Sequence, residues 1–148
     1  MADSQIVLFV CTGNFYRSRY AELYFNARAR PSLGWCAESR GFRLSVANIG
    51  PIAACVPERL AAHRLPLPAA MRFPLQIQEQ DLVHASRIIA LDAVEHRPFV
   101  ETLFPAWRDQ INYWQIPDVG GMRVEEALSA IEREVDALFD QLTAHNMH

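Results

Sequence analysis

Ile6-Val7-Leu8-Phe9-Val10-Cys11-Thr12-Gly13-Asn14-Phe15-Tyr16-Arg17-Ser18 is the stretch that decides how this chain folds. The run from Gln5 to Val10 is short, apolar and uninterrupted, as in a strand buried on both faces. It feeds directly into a cysteine. Beyond Ser18, Tyr20, Leu23, Tyr24 and Ala27 recur at helical spacing to about Ala29, and Pro31 stops the helix. A strand, a tight loop and a helix N-terminus thus surround one thiol. Helix N-termini and successive loop N–H groups attract a dianion. A field of that sign favours thiolate over thiol. Arg17 adds a planar fork able to hold two phosphate oxygens, and Gly13 permits the positive φ that a tight loop demands. The arrangement suits attack by sulfur on phosphorus. Cys11 is the candidate nucleophile, and Thr12, Gly13, Asn14, Phe15, Tyr16, Arg17 and Ser18 are the candidate phosphate-binding residues. A cysteine is often only a small buried hydrophobe. The strand before it, the Gly-Asn pair within the loop and the serine after it separate this one from a chance match.

Composition narrows the classes. The 148 residues suffice for one domain, expected to span 1–148. With 51% hydrophobic and 21% charged residues, the chain fits a folded rather than a disordered protein. A net charge of -3 with dispersed arginines argues against nucleic-acid or polybasic membrane partners. Every basic residue apart from histidine is an arginine, for which we have no physical account. Three cysteines, Cys11, Cys36 and Cys55, with no C-x-x-C, favour a reducing compartment over a disulfide framework. No signal-peptide pattern or bilayer-length apolar run is visible, so the expected compartment is the cytoplasm. His63, His84, His96, His145 and His148 lack metal-ligand spacing, and neither metal nor cofactor is expected. Dinucleotide and Walker-type glycine motifs are absent.

Further along, Arg43–Ala47 alternates polar and apolar and predicts a second strand, followed by a turn at Asn48-Ile49-Gly50-Pro51. Glu58–Arg64 and Glu79–Ala85 read as short helices, with Pro66, Pro68 and Pro74 making loop between them. Arg87–Leu91 reads as a strand ending at Asp92, and Ala93–Val100 as a helix despite Pro98. Ile111–Ile116 reads as a strand closed by Pro117-Asp118. Val124, Ala127, Leu128, Ile131, Val135, Leu138 and Leu142 form a stripe that makes 123–143 the clearest helix. Such alternation predicts a single-domain three-layer α/β sandwich with a central parallel sheet. Ligands bind beyond the carboxyl ends of strands in such folds. Cys11, Asp92 and Asp118 all follow strands; Asp92 reads foremost as a helix cap. Trp107 and Trp114 read as core.

The loop Val10–Ser18 resembles the phosphate loop of the low-molecular-weight protein tyrosine phosphatases. Other segments are collinear with that family. Ser45-Val46-Ala47-Asn48-Ile49-Gly50 falls where it has a strand ending in a Ser-Ala-Gly-like turn. Asp81-Leu82-Val83 followed by Arg87–Asp92 is similar to its stretch ending in Met-Asp. Trp114-Gln115-Ile116-Pro117-Asp118 is similar to its general-acid loop. The resemblance implies a flavodoxin-like sandwich of the phosphotyrosine phosphatase I type. It also implies metal-free, two-step hydrolysis of phosphate monoesters, on a phosphorylated protein or a small ester. Cys11 would form a phosphocysteine, Arg17 bind phosphate and transition state, and Asp118 act as acid and then base. Ser18 would stabilise the thiolate, and Asn14 would hold the loop.

Three positions depart from the family pattern. Tyr16 stands where many relatives carry a second, protecting cysteine, and Cys36 and Cys55 are remote in sequence. Arg19 replaces a proline and reads as a solvated helix residue, with added anion binding as the alternative. Asp118 is followed by Val119-Gly120-Gly121-Met122 rather than by aromatic residues that would stack on a phenyl ring; Phe15, Tyr16 and Trp114 are the candidates for that wall. Two other functions share these features: an arsenate-reductase-like enzyme, and a phosphate- or phosphopeptide-binding module with little turnover.

Overall fold

In the computed structural model, which describes residues 4–146, the first strand is the spine of the molecule. β1 (Gln5–Cys11) is buried from Val7 to Cys11 because strands flank it on both sides and helices cover both of its faces. It is followed by α1 (Arg17–Arg28), β2 (Trp35–Gly41), α2 (Cys55–Ala62), α3 (Glu79–His84), β3 (Arg87–Ala90), α4 (Ala93–Leu103), β4 (Asn112–Tyr113) and α5 (Val124–Asn146). The strands lie in the order β2-β1-β3-β4, every pair parallel.

Alternate residues of β1 serve two cores, as a period of two requires. Val7, Phe9 and Cys11 face α1, α2 and α5, with Phe25 stacked on Phe139 at 4.6 Å between ring centres. Leu8 and Val10 face the opposite layer, with Phe42, Leu82 of α3 and Val100 of α4. The three-layer parallel sandwich expected from the sequence is therefore the observed architecture. Trp114 packs on Phe9 at 5.5 Å, and Trp107 borders the second core.

The second strand departs from expectation. It is Trp35–Gly41, not Arg43–Ala47, and the latter segment is an exposed loop. Trp35, Ala37, Ser39 and Gly41 are buried while Cys36, Glu38 and Arg40 are half-exposed. Ser45–Gly50, expected to close that strand, therefore lies outside the sheet. α2 begins at Cys55 rather than Glu58. α4 runs past Pro98 to Leu103. The last strand shrinks to Asn112–Tyr113 plus a bridge between Asp92 and Gln115.

The strand order places a crevice between the carboxyl ends of β1 and β3, because the chain leaves β1 toward one edge and returns on the other side. Cys11 ends β1, and Asp92 follows β3.

Candidate active site at the end of the first strand

The loop 12–16 turns from β1 into α1 above Gly41. A Cβ on Gly41 would meet the Thr12 carbonyl oxygen at 2.8 Å and the Asn14 nitrogen at 3.0 Å, so only glycine lets the loop lie this close. Phe42 N–H donates to the Cys11 carbonyl and Arg43 N–H to that of Thr12, both at 2.9 Å, which fixes the base of the loop. Among the described residues, no backbone hydrogen bond takes up the N–H groups of Gly13, Asn14, Phe15 or Tyr16. The N-cap of α1 is Tyr16, with no side-chain cap and no acid in the first turn. The uncapped helix end and the loop amides together form an anion-binding concavity.

Asn14 shapes that concavity. Its φ is 52, in the left-handed region that asparagine tolerates better than most residues. Its side chain is fully buried and tied on both ends. Nδ2 donates to Ser18 Oγ and Ser39 Oγ, both at 2.9 Å. Oδ1 accepts from Arg72 Nη1 and from Leu75 N–H, both at 3.0 Å. Ser18 Oγ, already an acceptor from Asn14, lies 3.0 Å from Cys11 Sγ and can direct its own proton at the sulfur.

Arg17, 2% exposed, is held by three partners. Its Nη1 and Nη2 donate to the two carboxylate oxygens of Glu95 at 3.1 and 2.7 Å, and Nη1 also donates to the Ile116 carbonyl at 2.9 Å. Its Nη2 lies 3.7 Å from Asp118 Oδ2. Burial works against the Arg17 cation, but the Glu95 hydrogen bonds and the charges of Cys11, Glu95 and Asp118 outweigh it and raise its pKa. Burial pushes the Glu95 carboxyl up, yet hydrogen bonds from His96, Arg17 and Thr12 hold it well below the usual carboxylate range.

Asp118 is 56% exposed and stands on a turn closed by Gly121 N–H donating to its carbonyl at 3.0 Å. It shares a cavity of about 410 Å3 with Cys11, Phe15, Tyr16, Arg17 and Asn48. Of the aromatic candidates, Phe15 and Tyr16 line this cavity and Trp114 does not. Burial, with the neighbouring Cys55, pushes the Tyr16 phenol up to about 12. Asp92 serves as the N-cap of α4, accepting from Glu95 N–H at 3.1 Å.

One expectation needs correction. Arg19 is not solvated; it is 1% exposed and donates to the carbonyls of Pro51 and Arg72 at 2.8 and 3.0 Å. Burial and the nearby Arg72 push it down to about 10, and it acts as a strut between α1 and two loops. Cys55, remote in sequence, lines the same cavity as Cys11, and both are free thiols. The sequence singles out none of Ser39, Arg72 and Glu95, and it brings up His96 only as a metal ligand to be excluded. Among the described residues, no group of three His, Cys, Asp or Glu side chains is placed to hold a metal ion. His145 and His148 lie outside the residues whose side chains are described.

A buried cysteine at a strand end, cradled by free amides and a fixed arginine fork, defines a cysteine-dependent phosphatase of the parallel α/β class. The family model described as low molecular weight phosphotyrosine protein phosphatase matches residues 6–147, and the chain belongs to that family. No curated protein sequence matches. YfkJ from Bacillus subtilis is similar in structure, with a TM-score of 0.81, 25% identity and coverage of 97% of this chain and 98% of that one. A low molecular weight protein tyrosine phosphatase from T. tengcongensis superposes with a TM-score of 0.72 at 27% identity, over 96% and 99% of the two chains. YwlE arginine phosphatase from Geobacillus stearothermophilus gives 0.79 at 21% identity, over 97% and 96%.

Proposed function

We propose that this chain hydrolyses phosphorylated protein side chains through a phosphocysteine on Cys11. The observation that carries the reading is the 3.0 Å contact between Cys11 Sγ and Ser18 Oγ at the floor of a cavity shared with Arg17 and Asp118. The loop amides and Arg17 hold the equatorial oxygens and stabilise the charge of the transition state. The Cys11 thiolate attacks phosphorus, and the bond to the leaving oxygen breaks as Asp118 gives that oxygen a proton. Asp118, now a carboxylate, takes a proton from water; the water attacks phosphorus and the S–P bond breaks, releasing phosphate. Ser18 stabilises the returning thiolate. Dividing one difficult displacement into two is the gain of covalent catalysis.

Phe15 and Tyr16 supply apolar wall in place of the aromatic residues missing after Asp118, so an aromatic phosphoester fits the mouth. The reaction proceeds in a single domain, and three free thiols suit the reducing cytoplasm. No described helix is long and apolar enough to cross a membrane.

The test is metal-free hydrolysis across pH 5–8, comparing wild type, Cys11→Ser and Asp118→Ala. Cys11→Ser is expected to abolish turnover. Asp118→Ala is expected to lower kcat/KM by about 10²–10⁴-fold with phenyl phosphate and by much less with p-nitrophenyl phosphate, whose leaving group departs without a proton. Phosphotyrosine and phosphoarginine peptides run side by side assign the substrate class. A folded wild type that binds phosphate but turns over none of these would contradict the reading.

A further inference from the structure

Thr12 and Arg17, at opposite ends of the phosphate loop, meet on a side chain that belongs to neither the loop nor its helix. Glu95, in the first turn of α4, takes both Nη groups of Arg17, and the Thr12 hydroxyl donates to its Oε2. His96 Nε2 lies 3.2 Å from the same oxygen and 3.1 Å from Thr12 Oγ1. His96 Nδ1 accepts from Asp92 N–H at 3.0 Å, which leaves the ring proton on Nε2, directed at Glu95. The His96 ring is fully buried and cannot turn away to water.

A guanidinium has more than one edge for a bidentate partner. Glu95 occupies the edge formed by Nη1 and Nη2, and the Ile116 carbonyl takes a further Nη1 proton. The edge carrying Nε and the second Nη2 proton, with Asp118 Oδ2 beyond hydrogen-bond reach at 3.7 Å, is left for an oxyanion in the cavity that Arg17 lines. A carboxylate beside an anion site repels the ligand unless its charge is spent elsewhere. Here it is spent on the far edge of the fork. We infer that Glu95 is a positioning residue, clamping both ends of the phosphate loop so that the free edge of Arg17 faces the incoming phosphate. Asp92, which caps the same helix, takes no part in that contact. This inference rests on the phosphatase reading above.

The experiment is a double-mutant cycle of Glu95→Gln and Arg17→Lys, reading kcat/KM with p-nitrophenyl phosphate and Ki for inorganic phosphate. Misplacing a catalytic contact costs up to about 10²-fold, so Glu95→Gln is expected to lower kcat/KM by about 10- to 100-fold and to raise the phosphate Ki. With Lys at position 17 there is no fork to orient, and the same replacement is expected to change kcat/KM by less than about threefold. Equal losses in both backgrounds would make Glu95 merely structural and overturn the inference. So would an unchanged or lower phosphate Ki, the latter showing that Glu95 competes with substrate for the fork. Thr12→Val removes the other tether at constant shape and is expected to raise the Ki by about three- to tenfold; no change there also overturns the clamp. Calorimetric phosphate binding to Cys11→Ser, with and without Glu95→Gln, tests the clamp independently of turnover, so its failure is distinct from failure of the phosphatase reading.

Discussion

Asn14 holds a backbone angle that most residues avoid, and its four side-chain hydrogen bonds keep it there. Replacing it with Ala leaves Leu75 N–H and part of the Ser39 and Arg72 network without a partner. The expected loss is about 2–4 kcal/mol in denaturant unfolding, with weakened phosphate inhibition. Gly41→Ala places a methyl against the backbone of Thr12 and Asn14 as well as the Leu44 side chain, and because backbone cannot swing aside the loop must shift. It is expected to cost about 1–3 kcal/mol and to lower kcat/KM; wild-type activity in that variant would show that the loop does not depend on this close approach. At this scale the sequence was legible where chemistry and spacing coincide: Cys11, Arg17 and Ser18 stand in one local motif. Arg19 was illegible because charge on a helix usually means solvent, whereas here two carbonyls and Glu22 receive it. Asp92 reads as a helix cap and does cap; nothing in the local sequence aims Glu95 at Arg17, and only the fold shows that its side chain turns there.

Elements were legible where burial is one-sided and long. α5 buries Ala127, Leu128, Ile131, Val135, Leu138 and Leu142 on one face, the stripe read from the sequence. Ile131→Ala is expected to cost about 2–5 kcal/mol, measured by denaturant unfolding, as a fully buried side chain leaves a cavity. β2 was illegible because its buried positions are Trp35, Ala37, Ser39 and Gly41. A polar Ser39 and a bare Gly41 weaken the apolar signal, yet both are there to receive the phosphate loop. The exposed segment Arg43–Ala47 imitates the alternation with no sheet to join. α4 is anchored by its cap, and Asp92→Ala is expected to cost about 1 kcal/mol, lowering Tm by a few degrees. Glu95 adds a pH signature. A carboxyl held below its unfolded value contributes stability in full above about pH 5 and loses it as the pH falls through the folded value. Glu95→Gln is therefore expected to flatten the acid limb of Tm against pH; an unchanged limb would contradict the ion pair.

At the scale of the whole molecule, strand order converts local motifs into one site. The sequence carries the alternation of strands and helices but not their order, since no local pattern tells a chain which edge to return to. Once β3 lies beside β1, the segments after both strands converge: the loop from Cys11, the α4 residues beyond Asp92 and the turn bearing Asp118. In this mechanism sulfur carries the phosphoryl group between the two steps. The direct measurement is mass spectrometry after rapid denaturing quench of Asp118→Ala with p-nitrophenyl phosphate. Slowed water attack in that variant should let the intermediate accumulate. The expected result is the added mass of one phosphoryl group on the peptide containing Cys11, with a burst of p-nitrophenol matching the enzyme concentration. Turnover without that adduct, or with phosphate on another residue, would contradict it.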